Sequence, residues 1–404
     1  MFISSLHAVQ RSSGVSSSRY QQLIDHANGS LQSGNSQAAL ALLQRWPNDP
    51  ASWELQWQLA RKALLMGQWD TAARLLAGPR RGRQAEGLPP ALAARQQFWL
   101  GYARVKQGKL AQGQALWRQL LRLHPEGYYG WRAAVQLNQG DLQLSPRQAP
   151  PLRQPNWMPL ESGSNALDRL WRLGQVQEAW ETWRLQQQGQ TPHTAEGLLL
   201  EGRLRQGVGD TWIGLGQLEQ ASLRLPQGAC EQQWPLEQDL HPRRFAEVFN
   251  QAGARAGVDP QLLLAVARQE SRFSPGVRSG VGAVGLLQLM PATAAELAGE
   301  PVDPAALQDP RRNAELGARY LRQLLQRWQQ QPFLSVASYN AGPGAVERWR
   351  GGGFPDPQRE PELWVEAIPY PETRLYAKKV LGNRWTYQLI QSQGDQACRW
   401  AQAR

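Results

Sequence analysis

Two cysteines and four methionines among 404 residues leave little for thiol chemistry. Cys230 and Cys398 have no zinc-ligand spacing around them, and no EF-hand loop is present, so no metal and no cofactor is expected. No stretch of eighteen apolar residues exists, which excludes a membrane-spanning helix. Met1 to Tyr20 lacks an apolar core of seven or more residues, so no signal peptide is visible, and neither cysteine gives a lipid-anchor signature near the N-terminus. Strand signal is sparse. Lysine and arginine are abundant instead, giving a net charge of +11 without long basic runs. That charge argues for a polyanionic partner, but no recognised nucleic-acid module accompanies it. Tryptophan is also plentiful, at 18 residues, and most of it falls where packing between helices explains it.

The length allows two or three domains. Residues 1–16 read as a polar tail. Residues 17–225 are rich in Ala, Leu, Gln, Arg and Trp with helical periodicity. Gly34 to Leu40 is echoed by Gly67 to Ala73, Gly108 to Leu116, Gly174 to Trp180 and Gly216 to Leu223. The spacing is irregular but within the helical-hairpin range, with glycine expected in the turns and small residues admitting the next helix. We read a tetratricopeptide-like α-superhelix, interrupted by the proline-rich Ser145–Pro159 and able to carry a protein partner. A connector, 226–240, leads to a second segment, 241–392, expected to fold without what precedes it. Residues 393–404 form a tail.

The second segment carries the chemistry. Glu270 is the only carboxylate between Gln261 and Ala295. Asp259-Pro260 reads as an N-cap followed by proline at the first helical position. Leu263, Val266 and Ala267 share a face with Glu270 at helical spacing. A carboxyl on an apolar face holds its proton more tightly than the roughly 4.3 of a free glutamate, as a general acid requires. The alternative is a helix-end glutamate paired with Arg268 or Arg272. After the turn Phe273–Gly276 comes Ser279-Gly280-Val281-Gly282-Ala283-Val284-Gly285-Leu286-Leu287-Gln288-Leu289-Met290-Pro291, whose glycines let backbone approach a ligand. If Leu286 to Met290 is extended, Leu286, Gln288 and Met290 share a face suited to a sugar.

Four blocks in order resemble the soluble lytic transglycosylases: Gln269-Glu270-Ser271, Gly282 through Pro291, Ser338 through Gly344, and Glu366 through Tyr376. Asp309-Pro310 with Asn313, Leu316, Gly317, Tyr320 and Leu321 is similar to the family's intervening helix. The resemblance covers roughly residues 241–390 and implies an all-α protein, with the superhelix followed by a lysozyme-like catalytic domain acting on peptidoglycan glycan strands. Glu270 matches the catalytic acid, which protonates the glycosidic oxygen and then, as carboxylate, takes the proton of the muramoyl C6 hydroxyl. Ser279, Gly285, Gln288, Met290, Tyr339, Asn340, Glu366 and Tyr376 match substrate-binding positions. Tyr339 is expected to orient Glu270 or a sugar oxygen, Asn340 to be binding or structural, and Glu366 to shape the site. Ala367 stands where serine is usual.

The resemblance also implies the bacterial periplasm or cell envelope, where the positive charge suits an anionic wall and where Cys230 and Cys398 could form a disulfide. Trp349 and Trp364 are further candidates for sugar contact. A hydrolase needs a second carboxylate flanking the bond; none lies near Glu270 in sequence, and Glu366 is the candidate if the enzyme were a water-using muramidase. A catalytically silent wall-binding scaffold is the alternative outside enzymes.

Overall fold

The computed structural model describes residue 41 and residues 50–77, 88–140, 151–153, 157–225, 228–393 and 397–402. The 1–16 tail, the Gly34 motif and much of Ser145–Pro159 lie outside the described residues. Among the described residues the architecture is helical, and β pairing amounts to the isolated antiparallel bridges Arg278↔Val284 and Val284↔Leu289. The all-α expectation holds.

Packing divides the chain between Leu120 and Leu121. In the first unit, α1 (Pro50–Leu65), α2 (Trp69–Ala77) and α3 (Pro90–Lys106) pack in succession, and α4 (Leu110–Leu123) runs across the division. Gly67 and Gly108 turn these helices with φ of 68° and 78°, a region where glycine avoids the steric cost of a side chain. Trp57, Phe98, Trp99 and Trp117 are buried between the helices, and the Trp117 indole donates to the Phe98 carbonyl at 3.1 Å.

The second unit opens with α5 (Gly127–Gln136), followed by α6 (Asn165–Arg172), α7 (Val176–Gln186), α8 (Ala195–Gly207) and α9 (Thr211–Arg224). Each of α6 to α9 packs on the next. Gly174 and Gly209 occupy the turns. Gly216, read from sequence as a turn glycine, lies inside α9; the fifth repeat is therefore displaced from its expected register. Gly202 and Gly214 face each other so closely that a methyl on Gly214 would stand 2.9 Å from the Gly202 carbonyl. The expected connector is mostly helix, α10 (Cys230–Leu240), and Cys230 is bonded to Cys398.

The remaining helices are α11 (Ala246–Ala256), α12 (Pro260–Ser271), α13 (Pro291–Ala298), α14 (Pro310–Arg327), α15 (Pro332–Ala341), α16 (Pro343–Arg348), α17 (Pro361–Ala367), α18 (Pro371–Gln393) and α19 (Ala397–Gln402). Helix α18 is the axis, packing against α5, α12, α15, α17 and α19. Its contact with α5 depends on Gly382, where a Cβ would lie 2.5 Å from the Tyr128 nitrogen. Nearby the Gly127 N–H donates to Thr386 Oγ1 at 2.9 Å and the Trp385 indole donates to the Pro125 carbonyl at 2.8 Å. Arg132 on α5 reaches Glu362 with Nε at 3.0 Å and Nη2 at 2.8 Å, both groups being buried. Trp131 stacks on Phe333 with ring centroids 5.5 Å apart. A cut before residue 241 would sever all of these contacts and the disulfide.

Candidate active site

Helix α12 starts as its sequence dictates. The Asp259 carboxylate accepts the Gln261 N–H at 2.8 Å and a second bond from Arg384 Nε at 2.9 Å. Residues Leu262 to Ala267 are buried throughout. The helix ends where Arg272 and Phe273 take φ of 47° and 62°, so Glu270 occupies its final turn. Neither neighbouring arginine pairs with it. Arg272 Nη2 meets Glu219 at 2.6 Å, and Arg268 donates to the Leu240 carbonyl at 2.7 Å while lying 3.7 Å from Glu219.

Glu270 is half-buried and accepts a 2.6 Å hydrogen bond from the Tyr376 hydroxyl. Its pKa rises from the ordinary 4.5 to about 7. Loss of hydration is the largest cause; the Tyr376 bond stabilises the carboxylate and opposes the rise, and the charge of Glu372 adds to it. Burial and the Glu270 charge push the Tyr376 and Tyr339 hydroxyls well above the usual 10, so both remain neutral donors. The roles expected for these two tyrosines are thereby revised. Tyr376 bonds the carboxylate, whereas Tyr339 donates to the Leu287 carbonyl at 2.8 Å and acts on the neighbouring loop.

That loop is a tight turn. Val284 and Leu289 bridge, Gly285 to Leu287 form the bend, and Gln288 takes φ of 46°. The extended reading of Leu286–Met290, which aligned three side chains on one face, is therefore corrected. The turn wins because Gly285, with φ of 84°, lies against the Leu307 carbonyl and the Asn313 amide, where any Cβ would overlap. Asn313 fastens the turn by accepting the Leu287 N–H at 2.7 Å and donating to the Val284 and Leu307 carbonyls, each at 2.9 Å. Ser271, next to the acid, donates to the Leu286 carbonyl at 2.8 Å. The loop carbonyls thus tie directly to the helix that bears Glu270.

The other expected site residues have specific places. Ser279 Oγ accepts the Ala283 N–H at 2.9 Å and shapes the approach to the turn. Gln288 spends its amide nitrogen on the Val277 and Gly285 carbonyls at 3.1 and 2.9 Å, which leaves its oxygen as the end for a ligand. Met290 is exposed ahead of α13. Asn340 Oδ1 accepts from Thr373 Oγ1 at 2.6 Å, joining α15 to α18 one turn before Tyr376. Glu366 is buried with Lys378 Nζ at 2.7 Å and Arg374 Nε at 3.9 Å, two cations on the turns that flank Tyr376.

Trp349 and Trp364, expected to meet sugar, are both buried; the Trp364 indole donates to the Trp349 carbonyl at 2.9 Å. Their size and apolar rings serve the core, and the exposed aromatic beside them is Tyr370, edge-on to Trp349. Two further residues were not among the expected site residues. Tyr320 packs on Tyr339 with centroids 5.3 Å apart and feels the same surroundings, and exposed Glu372 is the carboxylate whose charge Glu270 senses. Both fell inside quoted motif blocks, Tyr320 at helical spacing from Asn313 and Leu316. Among the described residues no cluster of three or more His, Cys, Asp or Glu is arranged to hold a metal ion.

Comparison with known proteins agrees with this geometry. The family described as the transglycosylase SLT domain matches residues 247–355. Residues 247–355 are thus an SLT domain, and the chain is similar to soluble lytic transglycosylases. The soluble lytic murein transglycosylase of Escherichia coli (strain K12) is 35% identical over 153 residues, covering 37% of this chain and 23% of that protein. The endo-type membrane-bound lytic murein transglycosylase A of Klebsiella pneumoniae is 38% identical over 119 residues, 26% of this chain and 58% of that one. The chain therefore spans less than two thirds of the length of either relative. The structure of lytic transglycosylase Slt from Pseudomonas aeruginosa, solved as an inactive glutamate-to-glutamine mutant, superposes with a TM-score of 0.57 at 26% identity. That likeness covers 88% of this chain and 56% of the other, so it extends over helices well outside the SLT domain.

Proposed function

We propose that the chain is a peptidoglycan lytic transglycosylase of the periplasm or cell envelope, cleaving the β-1,4 bond between N-acetylmuramic acid and N-acetylglucosamine. Glu270 acts first as acid. Its proton goes to the glycosidic oxygen, the bond from C1 to that oxygen breaks, and positive charge develops at C1. The resulting carboxylate, held by Tyr376, then takes the proton of the muramoyl C6 hydroxyl as that oxygen bonds C1, closing a 1,6-anhydro ring. Glu270 ends protonated and no water is consumed. The observation that carries this reading is a carboxyl with a pKa of about 7 hydrogen-bonded to one neutral phenol: the same group is present as acid and as base in comparable amounts at neutral pH.

Gly285, Gln288 and Met290, on the turn fastened to α12, together with Ser279 just before it, form the wall that receives the sugars. Asn340, through Thr373, and Glu366, through Lys378 and Arg374, hold the α18 segment that presents Tyr376. The disulfide between Cys230 and Cys398 suits an oxidising compartment.

A water-using muramidase would require a second carboxylate facing the bond. Glu366 is engaged by two cations, which favours the internal nucleophile. The test is mass spectrometry of muropeptides released from purified peptidoglycan without reduction. Products lighter by one water than reducing-end muropeptides are expected; reducing ends alone would overturn the proposal.

A further inference from the structure

Two arginines flank Glu270 in sequence, yet both are drawn to a carboxylate on another helix, Glu219 of α9. Arg272 leaves the end of α12 and runs to α9, which holds it in three ways. Its Nη2 meets the Glu219 carboxylate at 2.6 Å, its Nη1 donates to the Trp212 carbonyl at 3.3 Å, and its guanidinium lies 5.4 Å from the Trp212 ring centroid. Gly216 makes room for this contact, since a Cβ there would stand 3.1 Å from Arg272 Nη1. Glycine is unfavourable inside a helix; the one that departs from the repeat register serves the approach of Arg272. Arg268 brings Nη2 to 3.7 Å from Glu219, while Nε donates to the Leu240 carbonyl at 2.7 Å and Nη1 to Asn383 Oδ1 at 3.4 Å. It also faces Glu237 of α10, His241 and Tyr387. Lys379, one turn past Tyr376 on α18, completes the group. Burial lowers its pKa from the usual 10.5, the Glu219 charge opposes that fall, and Arg268 and Arg272 add to it. Three cations thus surround one carboxylate beside the helix that bears the acid.

We propose that Glu219 is a positioning residue for the catalytic acid, drawing the flanking guanidiniums, Arg272 above all, away from the Glu270 carboxylate. The role rests on Glu270 being the acid of the proposed reaction. An opposite charge within roughly 4–6 Å lowers the pKa of a carboxyl by about 1–3 units, which would leave Glu270 with little proton to give at neutral pH. Arg272 is two residues from Glu270 and 31% exposed, so its side chain can turn back once Glu219 no longer holds it. Arg268 is 11% exposed and stays tied to Leu240 and Asn383. The groups that face Glu270 in their stead are Tyr376 and Glu372 of α18 and Tyr339 of α15. Helix α9 lies outside residues 247–355, so a part of the chain beyond the SLT domain governs the protonation of the acid.

The test titrates the Glu270 carboxyl by carbon-13 NMR in the full chain labelled at glutamate Cδ, its signal identified by its absence from Glu270→Gln. Glu219→Gln, which keeps the shape of a partly exposed side chain, should lower the midpoint from about 7 by about one pH unit. Adding Arg272→Gln should return it to about 7, because the cation that turned onto the acid is gone. An unmoved midpoint in Glu219→Gln would overturn the proposal. So would a lowered midpoint that Arg272→Gln does not restore, since water entering a loosened contact also lowers it. On peptidoglycan, Glu219→Gln should lose about tenfold in kcat at pH 8 and little at pH 5, the ratio that one unit of pKa gives. Equal losses at both pH values would mean a general structural defect and would count against the role. If the unmodified protein releases no anhydro product, the proposed activity fails while the NMR titration still decides what Glu219 does.

Discussion

At the scale of single residues, burial is what makes Glu270 useful and also what makes it costly. Its pKa of about 7 lies above the ordinary 4.5, so the folded state holds the proton more tightly than the unfolded chain. Stability from this group is complete below about pH 4.5 and is lost as pH rises through about 7. Glu270→Gln should therefore abolish turnover by more than the roughly 10²–10⁴-fold attributed to a general acid. It should also raise the melting midpoint at pH 8 while leaving it near the original at pH 4.5; thermal scans at the two pH values check this. Tyr376→Phe removes the bond that favours the carboxylate. The alkaline limb of the pH–rate profile should then move upward from about 7, with a lower kcat. An unmoved limb would mean that Tyr376 does not govern the acid. Glu270 stood out in the sequence as a lone acid on an apolar helix face, and the motifs that follow it, rather than the helix alone, made it the candidate acid. The identity of its hydrogen-bonding tyrosine was not legible, since Tyr339 and Tyr376 both matched the motif and only packing of α18 against α12 brings one hydroxyl to 2.6 Å.

Among the elements, the turn from Val284 to Leu289 determines whether the site forms. Gly285→Ala places a methyl against the Leu307 carbonyl and Asn313 at a backbone angle that disfavours any side chain. A loss of the order of 3 kcal/mol in unfolding free energy is expected, read by denaturant titration. Activity should fall further than stability alone explains, because the turn carries Gln288. The extended reading of this segment failed for a physical reason: alternation over five residues is weak evidence against a glycine with tertiary neighbours on both sides. Trp349 and Trp364 failed similarly. Proximity in sequence to the Gly342-Pro343-Gly344 turn for Trp349 and to Glu366 for Trp364 suggested sugar contact, but a tryptophan on or beside a short helix buries as readily as it stacks. Helix α12 was read correctly because its cap, its proline and its apolar run agree with one another.

On the scale of the whole molecule, the chain does not part where its composition changes. Helix α5, taken from sequence as part of the superhelix, is fastened to α17 and α18 by Arg132–Glu362, Gly382 and Thr386. Breaking a buried pair of this kind costs about 3–5 kcal/mol, and losing a native disulfide about 2–5 kcal/mol. A piece covering 241–404 should thus melt well below the full chain or fail to fold, whereas 121–404 should keep its midpoint to within a few degrees. Equal midpoints for the two pieces would show that these ties carry little. Such long-range pairings could not be read from one sequence, because Arg132 and Glu362 are each unremarkable in their own segments.

The measurement that bears most directly on the central claim is turnover of peptidoglycan in water enriched with oxygen-18, followed by mass spectrometry of the products. If the C6 hydroxyl is the nucleophile and Glu270 the sole acid and base, the muramic acid ends form as 1,6-anhydro rings without the heavy isotope. Reducing ends carrying one oxygen-18 at C1 would contradict the account, since water would then be the nucleophile.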